Sequence, residues 1–108
     1  MWTWILACIV LSLSPGHVMR VIDGDSFILY SIRVPPEERV RVLGVDCPER
    51  GQPGYTEAGE FTRLWLARGP FVLHSCKRDS FGRLLADVSR GTEKLADILI
   101  ENRLCASA

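Results

Sequence analysis

The sequence predicts an α+β fold: a five-stranded OB-type β-barrel with a helix between strands 3 and 4 and a second helix at the C-terminus. Three observations carry that reading. Five short runs rich in branched and apolar residues are punctuated by Gly, Pro and Asp. A helical period interrupts them once, after the third run, and a second helical period closes the chain. That order fits a small OB-type barrel, and 108 residues fit one domain.

The elements follow in order. "HVMRVID" and "SFILYSIRV" flank Gly24 and read as a hairpin. "VPPEE" ends its second strand, because Pro35 and Pro36 have no N–H for a ladder. "RVRVLGV", Arg39 to Val45, is the third strand, with Val40 and Val42 on one face and Arg39 and Arg41 on the other. "DCPERGQPGY" is a Pro/Gly loop. "TEAGEFTRLWLAR" reads as a helix capped by Thr56, its apolar side built mainly from Phe61, Leu64, Trp65 and Ala67. "PFVLHSC" is the fourth strand, "RDSFGR" a turn and "LLADV" the fifth strand. "TEKLADILIENRL" closes as an amphipathic helix capped by Thr92, with Leu95, Ile98 and Leu99 buried.

The opening "MWTWILACIVLSLSPGH" is nearly all apolar from Trp2 to Leu13. That run is too short to span a bilayer, which takes about 20 residues. Its length and the Ser14-Pro15-Gly16 break suit a secretory signal, although no Lys or Arg precedes it. The expectation is a signal peptide at 1–16, a domain at 17–108 and an exported protein; an uncleaved anchor or an edge strand of the domain is the alternative. Of Cys8, Cys47, Cys76 and Cys105, three would remain after removal of the leader. No Cys/His spacing along the chain reads as a zinc motif, and His17 and His74 read as ordinary surface or core residues.

Lys+Arg and Asp+Glu balance at 13 each. This argues against a non-specific binder of nucleic acid driven by a basic surface, so contact with phosphate would have to come from a local cluster or a bound cation. Asp25, Asp46 and Glu49 offer such a cluster. Asp25 lies at the turn between the first two strands, and Asp46 and Glu49 lie in "VDCPE" at the end of the third. Where those strands pair, the three carboxylates meet at one rim, and a hard cation would offset their repulsion. Asp25 and Asp46 would then be ligands, with the Cys47 carbonyl adding an oxygen. The alternative for each carboxylate is a turn residue, where Asp is common. Arg41 and Arg83 carry rigid forks of donors suited to phosphate; the alternative for each is a surface ion pair. Two arginines, a cation and a spare carboxylate make a set for phosphodiester hydrolysis.

"VIDGDSF", "RVRVLGVDCPE" and "DSFGRLLADV", in that order, resemble the staphylococcal-nuclease-like, or thermonuclease, family, from about Val18 to Ala106. The resemblance implies an OB-fold nuclease that cuts DNA and RNA using Ca²⁺. It implies calcium carboxylates at Asp25 and Asp46, a backbone ligand at Cys47, an outer-shell or structural group at Asp23, phosphate-binding arginines at Arg41 and Arg83, and a general base at Glu49. Phe81 stands where many members carry a tyrosine near the nucleotide. "NRLCA" replaces the usual G-L-A, so the last helix lacks a Gly stop. A monomer with no membrane partner beyond export is expected. The competing function is a module of the same fold that binds nucleic acid or protein without cutting it; the intact Asp and Arg set favours the enzyme.

Overall fold

The computed structural model describes residues 8–31 and 36–108. In chain order the elements are β1 (Ile9–Leu13), a one-turn 3-10 helix (Pro15–His17), β2 (Val18–Asp23), β3 (Ser26–Tyr30), β4 (Glu37–Val42), β5 (Val45–Asp46), α1 (Tyr55–Ala67), β6 (Phe71–Arg78), β7 (Leu84–Arg90), β8 (Glu93–Lys94), α2 (Leu95–Glu101) and β9 (Ala106–Ser107). The class is α+β, mostly sheet, with two α-helices among the described residues. The helix expected between the third and fourth strands stands there as α1.

Two features of the expected barrel are corrected. The strands number more than five: seven form one sheet in the order β1-β6-β7-β4-β3-β2 with β8 on β7, and β5 pairs with β9 in a second. Nor, among the described residues, does the main sheet close on itself through hydrogen bonds. Its two ends, β1 and β2, are instead consecutive along the chain, joined only by the 3-10 turn. Pro15 starts that turn, and Ser14 and His17 bond reciprocally across it. The β4–β7 pair is parallel and all the others are antiparallel.

The expected third strand breaks in two. Gly44 adopts φ +85°, a left-handed conformation that glycine tolerates best, and the chain turns between Val42 and Val45. The alternation within β4 holds: Val40 and Val42 are buried, Arg39 is exposed and Arg41 half-buried. The break at Val34–Pro36 falls largely on residues 32–35, outside the described residues.

Neither threonine caps its helix. Thr56 sits inside the first turn of α1, whose N-cap is Gly54 at φ +89°. Thr92 sits in the turn before β8, whose pairing with β7 delays α2 to Leu95. In α1 the buried residues are Ala58, Thr62, Trp65 and Leu66, while Leu64 and Ala67 face solvent. In α2, Leu95 and Leu99 are buried and Ile98 is half-buried.

The core gathers Phe27, Val40, Val42, Trp65, Leu66, Phe71, Leu73, Val88, Leu95 and Leu99 between the sheet and the two helices. Phe71 meets Phe27 edge-on at 6.4 Å and Trp65 at the same separation. Arg90 finishes α1 from the sheet. Its Nη2 donates to the carbonyls of Trp65 and Gly69 and its Nε to that of Pro70, with the guanidinium 4.1 Å from the Trp65 ring. A cation at a helix C-terminus satisfies carbonyls that have no partner within the helix.

Residues 1–7 of the expected leader lie outside the described residues. The rest of its apolar run is seated in the fold: β1 pairs with β6 from Ile9↔Ser75 to Leu13↔Phe71, and Cys8 is disulfide-bonded to Cys76. A second disulfide joins Cys47 to Cys105. Among the described residues, no helix is long and apolar enough to cross a membrane.

Candidate active site

The β2–β3 turn carries Asp23, Gly24 and Asp25. Asp23 closes it: its Oδ1 accepts the Ser26 hydroxyl at 2.5 Å and the Asp25 N–H at 3.3 Å. Gly24 is required for a different reason than the turn itself. Its φ is not left-handed, but a Cβ there would stand 2.8 Å from Cys47 Sγ and 2.9 Å from Ala58 Cβ. The turn is therefore pressed against α1 and the Cys47–Cys105 bridge. Its carbonyl accepts the buried Thr62 hydroxyl at 2.6 Å.

This pressing points Asp25 inward, leaving the residue 4% exposed. Its Oδ2 accepts the Cys47 N–H at 2.9 Å and meets Arg41 Nη1 at 2.6 Å. The same Nη1 donates to the carbonyls of Val42 and Val45, both at 3.0 Å, so Arg41 is tied to the turn between β4 and β5. Its Nη2 lies 3.8 Å from Asp46 Oδ1, on a side chain that is 69% exposed. Asp25, from the β2–β3 turn, and Asp46, from β5, thus converge on one guanidinium. Burial, followed by the hydrogen-bonding interaction with Asp23, pushes the Asp25 carboxyl up to about 7, against the opposing pull of the Cys47 N–H and Arg41. A buried carboxylate crowded by a second one is a place where a hard cation relieves electrostatic cost. The donor set of Asp25, Asp46 and the Cys47 carbonyl is all oxygen, the kind that Ca²⁺ takes.

Asp23, Asp25, Arg41, Asp46 and Cys47 are therefore brought together. Glu49 lies just beyond, on the exposed loop after Pro48. Its N–H donates to Gln52 Oε1 at 2.7 Å and its carbonyl accepts the Gln52 N–H. Among the described residues its carboxylate has no hydrogen bond or ion pair. Arg83 sits in the turn between β6 and β7. Asp79 accepts its Nε at 2.7 Å and its backbone N–H at 2.9 Å, and the guanidinium lies 5.9 Å from the Phe81 ring, which is 79% exposed. Among the described residues, no hydrogen bond or ion pair joins Arg83 to Asp25, Arg41 or Asp46.

Three residues of the site lie outside the set expected from the sequence. Asp79 positions Arg83, and the i,i+4 spacing in "DSFGR" was the available signal. Cys105 pins the Cys47 segment from the far end of the chain. Arg103 lines the same cleft of about 660 Å³ as Asp46, Cys47, Pro48 and Gln52. It also adopts φ +57° just after α2, occupying with a side chain the left-handed position that glycine usually fills after a helix. A second groove of about 540 Å³ between β2 and α1, lined by Val18, Val21, Tyr55 and Leu66 among others, contains none of these site carboxylates.

Similarity to known proteins covers much of this arrangement. The sequence model of a family described as staphylococcal nuclease homologue matches residues 39–107. That range holds Arg41, Asp46, Cys47, Glu49 and Arg83 and begins after the Asp23–Asp25 turn, so Asp25 stands with them on geometry. Over 84 residues the chain is 37% identical to a thermonuclease of Staphylococcus intermedius, a stretch amounting to 70% of this chain and 49% of the relative. The chain thus spans about half the length of the curated relative it matches.

Proposed function

Because the chain belongs to the staphylococcal nuclease homologue family, we propose that it is a nuclease hydrolysing phosphodiester bonds of DNA and RNA, with Ca²⁺ held by Asp25, Asp46 and the Cys47 carbonyl. The observation that carries this is the convergence of Asp25 and Asp46 on Arg41, a hydrolytic site's worth of charge at one rim. The ion, when bound, supplies positive charge for a phosphate oxygen.

The chain's own residues supply the rest. Asp25 is oriented by the Cys47 N–H and by the turn that Asp23 closes. Arg41, fixed by two backbone carbonyls, presents its planar fork to the charge that develops on phosphorus. Arg83 is steadied through Nε by Asp79, leaving its terminal nitrogens for a second phosphate contact, with Phe81 beside it for a base or sugar. Glu49 follows Pro48, which restricts the backbone around it. Its unpaired carboxylate orients and deprotonates the attacking water. Two disulfides support a setting outside the reducing cytoplasm, and we take the protein to be exported and monomeric.

The test is cleavage of plasmid and of labelled single-stranded DNA with Ca²⁺ or EDTA, alongside calorimetric Ca²⁺ binding. Asp25→Asn and Asp46→Asn should lose both activity and calcium binding. Glu49→Gln should keep calcium affinity within about tenfold while kcat falls by about 10²–10⁴. Undiminished calcium binding in both Asp variants would overturn the metal assignment. Tight nucleic-acid binding with no cleavage under any metal would leave the non-catalytic module as the function.

A further inference from the structure

The outer face of the β1–β6–β7 sheet carries a second cluster, remote in sequence from the residues above. Strand β6 buries Phe71, Leu73 and Ser75, so His74 points outward. Cys76, two residues on, faces outward beside it by the same alternation, just before the β6–β7 register shifts between Ser75 and Lys77. Cys8 precedes Ile9, the partner of Ser75, and reaches Cys76 across the strand pair. His74 pairs in register with Asp87 of β7. The result is ordered: Asp87 Oδ2 lies 4.0 Å from His74 Nδ1, and His74 Nε2 lies 3.8 Å from Cys76 Sγ. The ligating atoms of Cys8, His74 and Cys76 all lie within 4.8 Å of one another, and all three residues are exposed.

We propose that Cys8, His74 and Cys76 form a thiol-gated zinc site, closed as a disulfide when oxidised and binding Zn²⁺ once reduced. The chemistry of the donors selects the metal. Two thiolates and an imidazole are a set for Zn²⁺ in tetrahedral coordination, with water in the fourth position. In such a site a sulfur and a nitrogen stand about 3.6 Å apart, close to the Cys76–His74 separation already present. The sulfurs need only part from bonding distance, which exposed side chains can do by rotation. Asp87 Oδ2, at 4.0 Å, is beyond hydrogen-bond distance of Nδ1, but both side chains are exposed. A small rotation on metal binding would let the carboxylate accept the Nδ1 proton while Nε2 takes the metal, as zinc-bound histidines recurrently do. Reduction takes two electrons and two protons from a dithiol, which leaves as its own disulfide; metal binding then displaces the two thiol protons.

Either fastener holds β1 on β6. A newly made chain would keep the strand before its disulfide forms, and the oxidised chain keeps it afterwards. The site requires Cys8, so it exists only where β1 is retained. Removal of residues 1–16 would abolish it and leave one edge of β6 without its partner.

The experiment uses the full chain, reduced by a phosphine without oxygen and titrated with Co²⁺ and then Zn²⁺. One equivalent of Co²⁺ should give thiolate-to-cobalt charge-transfer absorption, and Zn²⁺ should displace it. The oxidised chain should give none. Cys8→Ser/Cys76→Ser, which keeps Cys47 and Cys105, should also give none, excluding the other pair as the ligand. His74→Ala should weaken binding more than tenfold, and Asp87→Asn by about 10–100-fold. Hydrogen exchange across Ile9–Leu13 should quicken on reduction and slow again with Zn²⁺. The proposal is overturned if the reduced chain binds no more Co²⁺ than the double serine variant. Equal affinity in His74→Ala, which keeps every thiol, would overturn it as well.

Discussion

Replacing Gly24 with Ala should cost the domain much of its stability. The added methyl would enter at 2.8 Å from Cys47 Sγ, 2.9 Å from Ala58 Cβ and 3.1 Å from Cys47 Cβ. None of these neighbours can rotate away. Ala58 has no side-chain torsion to adjust and is fully buried in α1, and Cys47 is fixed by its bridge to Cys105. The backbone must move instead, and overpacking of this kind costs about 1–3 kcal/mol. Movement also strains the hydrogen bond from Thr62 to the Gly24 carbonyl, worth about 1 kcal/mol. The expected total is about 3 kcal/mol, a fall in Tm on the order of 10–20 °C for a domain of this size. Urea denaturation and calorimetry measure it directly. Adding Ala58→Gly removes one of the two closest contacts, so the double variant should recover about 1 kcal/mol relative to additivity. A Gly24→Ala protein within a few degrees of the parent, or a double variant that is simply additive, would refute the close approach.

Three further outcomes are expected. Arg41→Lys and Arg83→Lys keep charge but lose the fork, and each should lower kcat on the order of 10²-fold, read by single-turnover cleavage. Arg103→Gly should raise stability by about 1 kcal/mol, since it releases a side chain from left-handed backbone, and a lower Tm would refute this. The third concerns pH. Because the folded Asp25 carboxyl is raised to about 7, above its ordinary value of 3.8, the folded state holds a proton that the unfolded chain has released. In EDTA its contribution to stability should therefore be lost as pH climbs from about 4 to about 7, by a few kcal/mol, and Asp25→Asn should remove that part of the slope. An unchanged slope in the variant would count against the shift.

What the sequence disclosed divides along the range of the forces involved. The Asp23–Asp25 turn, the alternation of Val40 and Val42, and the helix between the third and fourth expected strands are local patterns, and all could be read from the sequence. The reason for Gly24 could not, because it depends on Cys47 and Ala58 arriving from elsewhere in the chain. The helix caps depart from the local pattern for a related reason. Thr56 and Thr92 have capping chemistry, but the left-handed Gly54 and the β7–β8 pairing set where the helices begin. At the site, Asp25 and Asp46 could be inferred as rim neighbours because the β2–β3 turn lies beside the end of β4, and Asp46 follows that end within a few residues. That Arg41 lies between them depends on side-chain geometry that spacing does not carry. Nor could the sequence join Cys8 with His74 and Cys76: a cluster whose disulfide spans 68 residues has no motif to announce it.

The two disulfides interlace: Cys47 lies inside the loop closed by Cys8–Cys76, and Cys76 inside the loop closed by Cys47–Cys105. A single peptide cut anywhere between Cys8 and Cys105 would therefore leave both fragments covalently joined. In a medium rich in proteases, a nick in the exposed Glu49–Gly54 loop would leave Arg41 and Arg83 tethered in one molecule, able to re-close around the same core. Resistance to proteolysis would then depend on the order in which the cysteines pair along the chain as well as on how tightly the chain packs.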